Sequence, residues 1–352
     1  MEYRQISDRR PIRSTIETRY ERVLVVAQSP LQIIGAAQWL NDYRPRFYDL
    51  VLIYDPRSLE NFKQMRAICE LFKLGEFEVI KNTGISSFLI YTKFIKHAVT
   101  RSYDCVLIGG YGSFHQALIA NLNVNIFLID DGSDAFNVLQ KMKTIGPNWG
   151  IKERGLKVFR FKVMGLKSMI ENENRICFYS FLLSESVDYP RVINHQFGAL
   201  RTLLTQQSIG KGGGSHAFFV DTPLVETGLV SLKANELVYQ QAKAMSGQNL
   251  VYIPHRSQHQ APSHLLALRL GLEVVIPETP VEVYFLINSL EPSQIFGTST
   301  SAIFSLKILF PKCQFFVFDV RPLLLNVEDI SSYDRFYESA RREEISIIPV
   351  ES

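Results

Sequence analysis

The 352-residue chain is poor in the features that would place it in a specialised class. It has four cysteines, Cys69, Cys105, Cys177 and Cys313, far apart and never in a Cys-x-x-Cys pair. That excludes zinc-ligand spacing and argues against a disulfide framework, leaving reduced, buried thiols as in a cytosolic protein. No run of about 18 apolar residues occurs, so no membrane-spanning helix is expected. The opening stretch MEYRQISDRRPIRSTIETRYER lacks the apolar segment of a secretion signal. Its six arginines and four acids read as a solvated lead-in, although they allow a contact with a membrane surface. Net charge is only +3, without the basic stripe of a nucleic-acid binder. Internal repeats and low-complexity segments are absent too.

What is present is a globular composition, 46% apolar and 21% charged, on a chain long enough for two domains. Short buried-looking strands alternate with helical spacing: RVLVVA before Leu31–Leu40, DLVLIY before a helix near 57–74, FEVI before 86–100, DCVLIGG before SFHQALIANL, then NIFLID. This alternation is the sequence form of a doubly wound parallel sheet. Residues 137–215 are less regular, and 208–216 (SIGKGGGSH) is glycine-rich. That segment reads as a linker and lacks P-loop spacing. A second alternation follows: AFFVDTPLVE, NLVYIPHRS, LEVVIP, VEVYFLINSL, QIFGTSTSAIFSLKIL and QFFVFDV, with a terminal helix near YDRFYESARREE. The expectation is an α/β protein of two Rossmann-like domains whose parallel sheets face each other across a cleft, the GT-B type, although the pattern alone also permits a periplasmic-binding-type or other two-domain fold. The domains are residues 1–207 and 217–352, joined by 208–216.

In such sheets ligands sit at the carboxyl ends of the strands. Four stretches fall there. In IDDGS, Asp130 and Asp131 follow a buried strand and Gly132 permits a sharp turn. A positioned carboxylate could serve as general base, and alternation lets only one of the pair point into a cleft, with Asp131 favoured. The simpler reading is an Asx-type turn with helix-capping acids. In PHR, His255 ends a strand and Arg256 follows it. In GTSTSA, Gly297, Ser299, Thr300 and Ser301 precede a helix, where hydroxyls and free amides suit a phosphate or merely cap the helix. In AQSPLQ, Gln28 and Ser29 end the first strand, and Gly110 in GGYGS lets backbone approach a ligand. Glu278 and Glu282 in IPETPVE precede or open a helix, where acids favour the dipole. His259 and His264 lie near His255, but no carboxylate or thiol stands at ligand spacing, so no metal site is expected.

Together, AQSPLQ, IDDGS, PHR and GTSTSA resemble the bacterial sialyltransferases of glycosyltransferase family 52 and the related polysialyltransferases, over about residues 22–320. FFVDTPLVE resembles the opening of that family's C-terminal domain. The chain departs at the histidine, where the family has His-Pro and this sequence has Pro254-His255-Arg256. The resemblance implies an inverting transfer of a nonulosonic acid, such as sialic, pseudaminic or legionaminic acid, from its CMP donor to a surface-glycan acceptor. It implies Asp131 or Asp130 as base and His255 as the acid toward the departing phosphate. It places Ser299, Thr300, Ser301, Arg256, Glu282, Glu278 and Gly297 at the donor, and Gln28, Ser29, Gly110 and Gly132 at the substrate. No cofactor and no metal are expected. The alternatives are a GT-B transferase of another nucleotide sugar and a non-catalytic capsule or lipopolysaccharide assembly protein. The expected location is the cytoplasm or the inner face of its membrane, and a homodimer is left open.

Overall fold

The structure, a computed structural model, describes residues 20–82, 87–130, 132, 134–149, 156–183, 191–205, 216–247, 249–256, 261–326 and 330–351. Asp131, His259, the N-terminal arginines before Tyr20 and linker residues 208–215 lie outside the described residues.

The first half runs β1 (Arg22–Ala27), α1 (Pro30–Tyr43), β2 (Phe47–Tyr54), α2 (Leu59–Leu71), β3 (Phe77–Lys81), α3 (Ser87–Thr100), β4 (Cys105–Gly109), α4 (Ser113–Asn121), β5 (Asn125–Ile129), α5 (Asp134–Ile145), α6 (Leu156–Val163), β6 (Ile176–Ser180), β7 (Arg191–Asn194) and α7 (Gly198–Thr205). Its sheet has the order β3-β2-β1-β4-β5-β6-β7, with every pair parallel. The second half runs β8 (His216–Val220), α8 (Leu232–Ser246), β9 (Leu250–Ile253), α9 (Pro262–Arg269), β10 (Glu273–Val274), α10 (Val281–Ile287), β11 (Pro292–Gly297), α11 (Ala302–Leu309), β12 (Gln314–Asp319), α12 (Ile330–Arg342) and β13 (Ser346–Pro349). Its order is β10-β9-β8-β11-β12-β13, again all parallel. The strand order reverses between β1 and β4 in one sheet and between β8 and β11 in the other. These are the switch points where doubly wound sheets hold ligands.

Three local readings change. His216, placed at the end of the linker by composition, opens β8. The irregular region contains α6, β6, β7 and α7. Its LKVFRFKV alternates apolar and basic residues as a strand would, yet it forms α6, because Val158 and Phe161 are the pair buried against the sheet. The tail adds an edge strand, β13, after its expected helix.

Strand alternation splits the core of the first half. Val23, Val25 and Ala27 face α1, α2 and α7, whereas Leu24 and Val26 face the layer of α3, α4, α5 and α6. The α1 side continues into the second half through Phe218, Val251, Val283, Phe285 and Ile303, so one apolar cluster spans both sheets. α7 bridges them as well: Ala199 N donates to Gln38 Oε1 on α1 at 2.6 Å, and the Arg201 guanidinium donates to the Ile308 carbonyl on α11. α1 lies close on β5 because residue 35 is glycine; a Cβ there would come 2.4 Å from Ile129 Cγ2. Gly35→Ala is expected to destabilise the chain by about 1–3 kcal/mol through overpacking, measured as a fall in the urea midpoint at unchanged slope.

Candidate active site

A cavity of about 270 Å³ opens between the two sets of strand ends. From the first half it is lined by Ser29, Leu31, Glu60, Gln64 and Gly132, and from the second by Asp221, His255, Arg256, Glu282, Thr300 and Ser301 among others. Apart from Gln64, in the middle of α2, the polar side chains named here stand at or near the end of a strand or the start of a helix.

After β1, Ser29 caps α1 by accepting from Gln32 N at 3.4 Å, and Pro30 stands at the first helical position. Gln28 does not line the cavity. Its backbone N donates to Gln32 Oε1 at 2.6 Å, and its side chain lies across Gly110, where a Cβ would meet Gln28 Nε2 at 2.3 Å. Gly110, at φ +86, lines a separate hollow of about 20 Å³ beside Tyr111. In the structure Gly110 makes room for a glutamine of the same half.

After β5 the adjacent acids are followed by Gly132. Asp130 is buried and faces inward along the sheet: Ser180 Oγ donates to its Oδ1 and Phe181 N to its Oδ2, both at 2.6 Å. It ties β5 to the turn after β6, a role in which the carboxylate is held by two donors. Gly132 has φ +66 and reaches the cavity. A Cβ at residue 132 would stand 2.8 Å from Ser301 Oγ. Both the left-handed backbone and this approach of the second half require glycine.

In the second half, Asp221 ends β8 and His255 follows β9, one strand over. Asp221 is almost completely buried and accepts from Tyr252 Oη at 2.6 Å, and Tyr239 Oη lies 3.2 Å from that hydroxyl. Burial pushes its carboxyl up to about 7. Burial, helped by the Arg256 charge, pulls the half-buried His255 down to about 4, so the imidazole is neutral near pH 7. After β11, Thr300 Oγ1 accepts from Ala302 N at 3.3 Å, while the Ser301 hydroxyl makes no capping bond and is turned toward Gly132. Ser299 faces the other way, into a second cavity of about 230 Å³ with Thr222, Phe136 and Phe336. Gly297 is a packing glycine: a Cβ would meet Val220 O at 3.0 Å and Ile303 Cδ1 at 3.1 Å. Glu282, in the first turn of α10, is buried and accepts from Ser305 Oγ at 2.5 Å. Burial raises its carboxyl above the ordinary range. Glu278 is exposed and does not line the cavity.

The structure thus gathers Ser29, Gly132, His255, Arg256, Glu282, Thr300 and Ser301 around one cavity, and sets Gln28, Gly110, Gly297, Ser299 and Glu278 outside its lining. Sequence reasoning missed Asp221 and Gln64. Asp221 had a signal: FFVD is an apolar run stopped by an acid, as NIFLID is. Gln64 had none, since it is a mid-helix residue whose Nε2 donates 3.4 Å across the cleft to the Pro277 carbonyl.

Solved structures give the architecture a name. An α/β-galactoside α-2,3-sialyltransferase from Photobacterium phosphoreum superposes with a TM-score of 0.53 at 10% identity, over 93% of this chain and 98% of that one. The spinosyn forosaminyltransferase SpnP gives 0.50 at 11% identity, over 94% and 86%. The chain has the GT-B fold. A putative UDP-N-acetylglucosamine 2-epimerase from Listeria monocytogenes fits as well, with 0.52 at 11% identity over 91% and 87%, so this fold hosts more than one chemistry. No protein-family profile matches the sequence, and no curated protein matches it; the likeness to family 52 is one of motifs.

The buried Asp221 makes stability depend on pH. Its pKa is near 7 in the folded state against 3.8 when exposed. The folded chain therefore holds a proton that the unfolded chain has lost, and stability falls as pH rises from the ordinary carboxylate range to about 7. Asp221→Asn removes this dependence. Its stability relative to the parent is expected to rise by about 2–3 kcal/mol between about pH 5 and pH 8. Urea unfolding at both pH values measures it; a constant difference would mean that Asp221 is ionised throughout.

Proposed function

We propose that the chain is an inverting glycosyltransferase that moves a nonulosonic acid from a CMP donor to a surface-glycan acceptor. The observation that carries this reading is the convergence of the IDDGS, PHR and GTSTSA stretches on one cavity between the halves. The superposition on a sialyltransferase supports the scaffold for it.

The donor would lie against the second half, at the β8–β11 switch point. Thr300, Ser301 and the amides opening α11 would hold the single phosphate, with Arg256 beside it. Glu282 would accept from ribose hydroxyls. In the transfer, the acceptor hydroxyl gives its proton to a carboxylate as its oxygen bonds to the anomeric carbon, and the bond from that carbon to the phosphate oxygen breaks. With Asp130 committed to Ser180 and Phe181, the base is assigned to Asp131, its neighbour in sequence. His255 donates a hydrogen bond or proton to the departing phosphate. It is neutral before the donor arrives, and an incoming phosphate favours its cation. One base and one acid, each acting once, suit a single displacement, hence inversion. One phosphate needs no divalent clamp, so turnover is expected to survive chelation. Four free thiols support a cytoplasmic setting.

The nucleotide test is calorimetry with CMP, UDP and GDP. CMP is expected to bind at least about tenfold tighter, which is about 1.4 kcal/mol, and EDTA is expected to leave transfer unchanged. Equal binding of UDP would favour a transferase of another nucleotide sugar.

Asp131→Asn should lower turnover by about 10²–10⁴-fold, the range of a general base, with CMP binding retained. Asp130→Asn should act mainly on stability. Single-turnover transfer and urea unfolding separate the two. Full activity of Asp131→Asn would overturn the assignment of the base, whereas no transfer by the parent despite CMP binding would favour a binding protein.

A further inference from the structure

The layer of α3, α5 and α6 carries a surface that the transfer reaction does not use. α3 and α6 contain no acid at all, and Asp134 at the start of α5 is the one acid of the three helices. Their exposed positions include Lys93, Lys96, Lys141, Lys143, Arg160 and Lys162. None of these six cations forms an ion pair with a described residue. By contrast, α2 pairs Lys63 with Glu60 and Arg66 with Glu70.

Large apolar side chains stand among these cations. Leu89 is 55% exposed, Ile145 68%, Phe159 64% and Val163 67%, with Ile90 and Val99 beside them on α3. These are six of the sixteen large apolar residues exposed among the described residues, on three helices of one layer. α3 and α6 are neighbours: the Phe88 ring on α3 packs 5.3 Å from Phe161 on α6, and the Arg160 guanidinium lies 5.9 Å above Phe88; α5 shares the apolar cluster beneath them. Lys141 and Arg160 lie over the rings of Trp149 and Phe88, but no carboxylate among the described residues neutralises the six cations. Scattered exposed apolar residues are ordinary; a cluster interleaved with such cations is not.

We propose that the outer face of α3 and α6, extended by the end of α5, docks the protein on an anionic lipid bilayer. Cations meet the headgroup charge while Phe159, Val163, Leu89 and Ile90 enter the acyl boundary. A polyanion such as nucleic acid accounts for the lysines but has no use for isolated aliphatic side chains. The inference stands apart from the proposed reaction, because none of these residues lines the cavity between the halves.

The test is co-sedimentation of the full chain with vesicles of phosphatidylcholine, alone or with phosphatidylglycerol added. Binding is expected only to the anionic vesicles. Two variants separate the contributions, Lys93→Glu/Lys96→Glu/Lys162→Glu and Phe159→Ser/Val163→Ser. Each should weaken partitioning by at least about tenfold, and CMP affinity should be unchanged in both. All the substituted residues are exposed, and circular dichroism verifies the fold. Equal binding to neutral vesicles would overturn the proposal. So would parent-like partitioning of the serine variant, which would reduce the face to a polyanion site. Loss of self-association in the serine variant without vesicle binding by the parent would assign the face to a second copy of the chain and overturn it too.

Discussion

The two halves approach each other closely at residue 132, which has no side chain. A Cβ there would meet the Ser301 hydroxyl at 2.8 Å, and the backbone at φ +66 would strain any other residue. At this point the strand-end loop of the first sheet touches the helix start of the second. Gln64 bonding to the Pro277 carbonyl closes the opposite rim, and the shared apolar cluster under α1, α7 and α10 sets the distance between the sheets.

The electrostatics of the cavity follow from burial. Asp221 and Glu282 have raised pKa values and His255 a lowered one, so each of the three is pushed toward its neutral form. Desolvation is the largest cause in each case. A phosphate entering the second half would meet Arg256 and hydroxyls, with less carboxylate charge in its way than two acids would suggest. Asp130 contrasts with them. It is buried too, but two strong donors from the end of β6 satisfy its oxygens. The carboxylate of Asp130 is thus part of the frame that ties β5 to β6.

The basic and apolar face lies on the far side of the first sheet from α1, α2 and α7. The same alternation that separates Val23 from Leu24 separates these surfaces. A protein can thus keep a polar cleft at its strand ends and a basic, apolar layer on one sheet face without either disturbing the other.

The alternation of strand and helix was legible in the sequence, because a parallel strand buried on both faces reads as a continuous apolar run. RVLVVA, DCVLIGG and NIFLID became β1, β4 and β5 within a residue or so. So was the placement of IDDGS, PHR and GTSTSA at strand ends, since each follows such a run. The short elements were not: α6 alternates like a strand, and β7 is four residues long with one buried side chain. Which strand-end residues face the cleft was decided only by the tertiary structure. Glu282 lines it and Glu278 does not; Thr300 and Ser301 line it while Ser299 looks into another cavity. Sequence spacing says that a residue lies at a turn, but the direction of its side chain depends on the packing of the opposing half. That packing brings together residues far apart in the chain, and no local pattern encodes it.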